Sequence, residues 1–223
     1  MGSGSLDGVS SREPLIRPPL QRRSQESLER VLRAGLELLQ EAGFEGFTVQ
    51  EVSRRSGVSI GSIYSRAPSR QALILAIHDR VAEQMAVRQE GIRKTAERTD
   101  LSPGELVERL VTDMAALLLD NAASLRVFIQ RAPVDAEFWR RGAERSRELA
   151  QIFETALLDH RGEIRHPDPE LAIDIAFRFV YLPIMHRIAY GPEFESEREV
   201  SDGEFVRELA RAAADYLLGP RTP

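Results

Sequence analysis

One stretch restricts this 223-residue chain more than any other: Thr48 to Arg70, TVQEVSRRSGVSIGSIYSRAPSR. Thr48 followed by Glu51 reads as a capping box, which starts a helix at Val49 because the hydroxyl and the carboxylate each take up a free backbone N–H. Ser56-Gly57 stops that helix, since glycine accepts the left-handed conformation that ends a helix. Ser59 then caps a second short helix, Ile60 to about Ser65, and Pro68 ends it. Two short helices around a glycine turn make a helix-turn-helix, whose second helix enters a DNA major groove. Val52, Val58 and Ile63 are spaced to form the small core between the helices. Gln50, Ile60, Ser62, Tyr64 and Arg66 are left facing outward.

The flanks extend the pattern. Leu28, Leu32, Leu36 and Leu39 mark one face of a preceding helix, capped by Ser24 or Ser27 and running to about Ala42. Gly43 closes it, and Phe44 and Phe47 continue its core. As an ordered set, Ala34, Gly43, Thr48, Gly57-Val58-Ser59, Gly61, Ile63-Tyr64 and Leu73 resemble the N-terminal domain of the TetR family of bacterial transcriptional regulators, from about Ser24 to Leu75. Two residues depart from the family pattern. Ala67 stands where an aromatic is usual, which implies looser packing behind the second helix. Arg70 replaces the usual Lys, keeping the charge but presenting a fork rather than a point.

Composition agrees with an ordinary soluble protein: 42% of residues are hydrophobic and the mean hydropathy is −0.29. The longest uncharged apolar run, Phe179 to Met185, contains Pro183 and is far short of a membrane span. No secretory signal is visible, so the expected compartment is the cytoplasm and no membrane partner is expected. With no cysteine in the chain, disulfides, thiolate metal sites and thiol nucleophiles are excluded. The net charge of −5 is unevenly spread. Residues 1–70 carry ten Arg and eight acids, whereas residues 71–223 carry twenty basic and twenty-seven acidic residues. A mildly positive head on an acidic body suits a protein that meets DNA at one end.

Residues 1–23 read as a flexible basic arm. Arg12, Arg17, Arg22 and Arg23 either reach an adjacent minor groove or only add diffuse charge attraction. A long helix runs from Ser69 to about Arg98, with Leu73, Ile77, Val81 and Met85 as its stripe and polar residues beyond. Ser102-Pro103-Gly104-Glu105 is a second capping box. It starts a helix to about Leu119 that turns Leu106, Leu110, Met114 and Leu117 or Leu118 inward. A short helix, Ala123 to Arg131, precedes the break at Pro133. Asp135 caps a helix to about Asp159, with Phe138 or Trp139 and Phe153 among its apolar positions. Asp168-Pro169-Glu170 opens a helix to Tyr190 that is apolar almost all round and so is buried on more than one side. Ser201 with Glu204 opens the last helix, which ends at Gly219-Pro220.

The expected fold is all-α with about nine helices: a three-helix DNA-binding domain (24–70) followed by a helical ligand-binding and dimerisation domain (71–223). The last two helices carry more apolar surface than one subunit covers. Small residues there (Ala210, Ala212, Ala213, Ala214) allow a four-helix homodimer interface, which the resemblance also implies. The candidate DNA contacts are Thr48, Gln50, Ser59, Ile60, Ser62, Tyr64, Arg66 and Arg70. The resemblance matches Tyr64 and Arg70 to positions that grip phosphates and puts Thr48 near the backbone. Arg54 and Arg55 are either further phosphate contacts or a solvated helix face. The resemblance also implies an apolar cavity for a small apolar or amphipathic inducer. Its candidate lining is Met114, Phe128, Phe138, Trp139, Phe177, Tyr181 and Met185, with His186 as a polar anchor or else a satisfied interface histidine. No cofactor or metal is expected. His78, His160, His166 and His186 have no zinc spacing, and no nucleophile elbow, P-loop or dinucleotide fingerprint occurs, so the chain does not read as an enzyme. The alternative reading is a helical small-molecule binding protein with an inactive helix-turn-helix.

Overall fold

The computed structural model describes residues 22–194 and 196–219. Among them every regular element is helical: nine α-helices and one 3₁₀ turn, with no strand. The chain divides into two compact units, Met1–Arg80 and Val81–Pro223, and the division falls inside the fourth helix. The expected arm lies outside the described residues apart from Arg22 and Arg23, which begin the first helix.

In the first unit, α1 (Arg22–Gly46) buries Val31, Leu32, Ala34, Leu38 and Leu39. Its inward face is therefore wider than the leucine stripe alone, and Leu28 and Leu36 are only half-buried. Gly43 breaks the helix without closing it: its backbone is non-helical (φ 64°, ψ −171°), yet the chain makes one more turn to Gly46. Such a φ is open to glycine and strained for a side chain. α2 (Val49–Ser56) packs on α1, and α3 (Ile60–Tyr64) on α2. Val52, Val58 and Ile63 close the seam between them as expected, all buried. Ala67, next to that seam, is itself enclosed at 2% exposure. α4 (Arg70–Ala96) brings Leu73, Ile74 and Ile77 into the same core.

In the second unit the α4 stripe continues past Met85 with Gln89, Ile92 and Thr95, all buried. The expectation that these residues turn polar holds for two of them, but polarity does not put them in solvent. The Thr95 hydroxyl is satisfied by donating to Asp113 Oδ2 at 2.8 Å. α5 (Pro103–Leu119) opens on a complete capping box between Ser102 and Glu105. It is buried along most of its length and packs against α9, α8, α7 and α6. α6 (Ala122–Arg131) runs into the 3₁₀ turn Ala132–Val134, where Pro133 prevents helix continuation.

α7 (Ala136–Leu158) turns Phe138 inward and leaves Trp139 57% exposed; adjacent helical residues point about 100° apart, and here the packed face takes in Phe138 alone. α8 (Pro169–Tyr190) packs against α5, α6, α7 and α9. Its burial is nevertheless incomplete, since Leu171, Ile175, Leu182 and Tyr190 are exposed. α9 (Asp202–Leu218) buries Val206, Ala210, Ala213, Ala214 and Leu217.

Candidate nucleic-acid interface

The helix-turn-helix is held together by short-range bonds that its own sequence supplies. Thr48 caps α2, its hydroxyl accepting from the Glu51 N–H at 3.2 Å. Gly57 takes the left-handed conformation (φ 67°, ψ 20°) and returns its N–H to the Ser53 carbonyl. The Ser53 hydroxyl donates across the turn to the Val58 carbonyl at 2.7 Å. Ser59 caps α3, accepting from the Ser62 N–H at 3.3 Å, and its own hydroxyl donates to Ser62 Oγ at 2.9 Å.

Only half of the expected Thr48–Glu51 box forms. The Glu51 carboxylate is engaged instead by Arg54 (2.6 and 2.8 Å) and by Arg55 Nε (2.8 Å). Arg54, then Arg55, hydrogen-bonds this carboxyl and holds it at about 2, well below its ordinary 4.5. Arg55 also reaches Glu41 on α1 at 2.7 Å. The Glu51–Arg54–Arg55 cluster was legible as an i, i+3, i+4 spacing on one helix. Glu41 was not, because nothing local ties it to Arg55.

Two more arginines are engaged within the same unit. Arg66 donates to the Ser24 hydroxyl at 2.6 Å and to the Ser27 hydroxyl at 3.3 Å, fastening the end of α3 to the start of α1. Arg70 donates from Nε to the Phe47 carbonyl at 2.9 Å and from Nη2 to the Phe44 carbonyl. Its guanidinium also lies over the Phe47 ring, 5.7 Å from the centroid.

Of the candidate DNA contacts, Thr48, Gln50, Ser59, Ile60, Ser62, Tyr64 and Arg70 are exposed and Arg66 is half-buried. The exposed ones comprise an amide, three aliphatic hydroxyls of which those of Thr48 and Ser59 cap helices, one apolar side chain, a phenol and a guanidinium. An amide can read a base edge, an apolar group can meet a thymine methyl, and hydroxyls can bond phosphate oxygens.

The candidate inducer residues sit in the second unit in three settings. Met114 and Phe177 are in its hydrophobic core, with Tyr181 and Met185 packed against it. Phe177 stacks on Tyr181 at 5.3 Å, and burial pushes the Tyr181 phenol up while a hydrogen bond with Ser146 opposes that shift. Phe128 and Phe138 form a stacked pair 5.7 Å apart. His186 lies in a partly exposed aromatic group with Tyr190 (4.6 Å) and Phe194 (5.2 Å). Trp139 departs from the expected set, since its exposure sets it apart from any enclosed wall of this chain.

A capped, glycine-turned helix pair with an exposed polar and aromatic face defines a helix-turn-helix, the class of element that can set one helix in a DNA major groove. Residues 31–77 match the family described as bacterial regulatory proteins, tetR family. A curated relative, the HTH-type transcriptional regulator CymR of Pseudomonas putida, is 28% identical over 145 residues, which cover 63% of this chain and 69% of that one. Among solved structures, a bacterial regulatory protein in the tetR family from Rhodococcus RHA1 has a TM-score of 0.66 at 18% identity, covering 88% of this chain and 98% of its own. A TetR transcription regulator from Haloarcula marismortui ATCC 43049 has the same TM-score and identity, covering 87% and 99%. The match to the tetR family is thus carried by residues 31–77, and the likeness to the solved structures shows that the chain shares their fold.

Proposed function

We propose that this protein is a repressor that binds a palindromic operator as a homodimer and is released by a small apolar or amphipathic inducer. The observation that carries the reading is the exposed face formed by Gln50, Ile60, Ser62 and Tyr64 on two helices whose mutual seam is fully closed. In this reading Gln50 chooses bases, Ile60 meets a thymine methyl, and Thr48, Ser59, Ser62 and Tyr64 position the helices on the backbone. Residues 24–70 act on DNA, and residues 71–223 take the inducer and form the dimer.

The dimer reading is supported by α8 and α9, which leave Leu171, Ile175, Leu182 and Tyr216 exposed in the single chain. A second copy covering that face would set two recognition helices for half-sites about 34 Å apart. Met114, Phe128, Phe138, Phe177, Tyr181, Met185 and His186 are assigned to the inducer. The inducer acts only through its different affinity for the DNA-competent and incompetent states. Among the described residues no helix is long and apolar enough to cross a membrane, and the proposed site of action is the cytoplasm.

One observation favours the second reading, a small-molecule binding protein with an inactive helix-turn-helix. Arg54, Arg55, Arg66 and Arg70 are all engaged inside their own domain. Selection from random duplex DNA, with binding to the gene's own upstream region followed as salt rises, separates the two. A regulator enriches a palindrome and loses affinity steeply with salt. Gln50→Ala then shifts the preferred bases while leaving binding to scrambled duplex unchanged. No enrichment above scrambled DNA decides for the second reading.

A further inference from the structure

Arg70 opens α4, and the family pattern would give its charge to a phosphate. Two of its three nitrogens are engaged within the domain, Nε on the Phe47 carbonyl and Nη2 on the Phe44 carbonyl, with the guanidinium over the Phe47 ring, while the residue itself stays exposed. Both carbonyls belong to the turn that leads from the Gly43 break into Thr48, the cap of α2. The Phe44 carbonyl accepts from the Phe47 N–H only at 3.4 Å, which leaves a lone pair of its oxygen for a second donor. A planar fork serves two carbonyls in fixed geometry, whereas an ammonium is a single point of charge with no such fork. This accounts for Arg at a position where a phosphate contact alone would be met equally by Lys.

We infer that Arg70 is a positioning residue for DNA recognition. It fastens the turn 44–47 and thereby sets Thr48 and Gln50, rather than binding a phosphate itself. The inference rests on the DNA-binding reading above, and it makes Arg70 a contributor to sequence preference rather than to general charge attraction.

The test uses the full chain with Arg70→Lys, which keeps charge and stem, and Arg70→Gln, which keeps neither the charge nor the fork. Without DNA, both variants exchange backbone hydrogens faster than the unmodified protein across residues 44–52. Exchange at the unmodified rate in both variants overturns the fastening. With DNA, the probes are a duplex selected by the unmodified protein and a scrambled duplex of equal length. Both variants lose about tenfold of their preference between the two, the order of one lost base contact. The salt slope on scrambled duplex stays unchanged. The opposite result is Arg70→Lys with unmodified preference and Arg70→Gln with a slope smaller by about one, as one lost phosphate contact requires; it overturns the inference. Should Arg70→Gln fail to fold, Arg70→Lys alone carries both measurements. If the unmodified protein selects no duplex, the regulatory reading fails, while the exchange measurement still decides the fastening.

Discussion

Arg126 on α6 donates from Nε to the Ile188 carbonyl near the end of α8, at 2.7 Å. The residue that would have returned an intrahelical N–H to that carbonyl is Pro192, which has none. A side chain 62 residues earlier in the chain therefore supplies the bond that the local sequence withholds. Just before Ile188, Arg187 secures the segment after α8, with Nη2 on the Val200 carbonyl (2.6 Å) and Nε on Asp202 (2.7 Å).

Arg126→Ala should loosen the last turn of α8. A hydrogen bond from a charged but partly solvated donor contributes about 1 kcal/mol, and its loss should lower stability by that order. Urea unfolding measures the change, and faster hydrogen exchange confined to residues 186–192 would locate it.

Gly35 on α1 lies against Ile77 on α4: an added Cβ would collide with Ile77 Cδ1 and come within 3.3 Å of its Cγ1. Ile77 is 1% exposed, which leaves its terminal methyl nowhere to go. Overpacking of this kind costs about 1–3 kcal/mol, against a helix-propensity gain from Gly to Ala of about 1 kcal/mol. Gly35→Ala should therefore lower the melting temperature, and adding Ile77→Val, which removes Cδ1, should recover most of the loss. Calorimetry on both variants checks this, and a stabilised single variant would contradict it.

Glu51 links stability to acid. Its carboxyl is lowered from 4.5 to about 2 by Arg54 and Arg55, so the folded state prefers the ionised form. The stabilisation from these contacts is present above about pH 4.5 and is lost as pH falls through about 2. The carboxyl ¹³C shift of Glu51 should titrate with a midpoint near 2 in the folded protein. In Glu51→Gln the fall of stability across that window should be shallower than in the unmodified chain.

Leu182 is 62% exposed on the face of α8 that also carries Leu171 and Ile175. If a second copy covers this face, Leu182→Asp buries an unpaired charge and should shift the protein from dimer to monomer at micromolar concentration. Light scattering reads the mass, and circular dichroism should show the helices retained. An unchanged mass would place the subunit contact elsewhere.

Six helix starts were legible in the sequence. Thr48, Ser59, Ser102, Asp135, Asp168 and Ser201 each cap the helix that follows. Cap and capped N–H lie within three residues, so composition over a few positions determines the bond. The left-handed turn at Gly57 was legible for the same reason. The candidate recognition face followed from these: once two helices and their apolar seam are set, the remaining positions point outward.

The choice between neighbours, and the partners of long side chains, were decided only by tertiary structure. Sequence spacing left Phe138 and Trp139 equivalent, and packing buried the first and exposed the second. Arg66 met Ser24, and Arg70 met Phe44 and Phe47, across separations of 23 to 42 residues. An arginine fork reaches whatever acceptor the packed helices bring within its length, and no local pattern encodes that acceptor. The sequence by itself determined where helices begin, where they turn and which faces are apolar. Assembly of those faces decided which charges remain open to DNA, because it alone brings carbonyls, hydroxyls and carboxylates from distant segments within hydrogen-bonding distance.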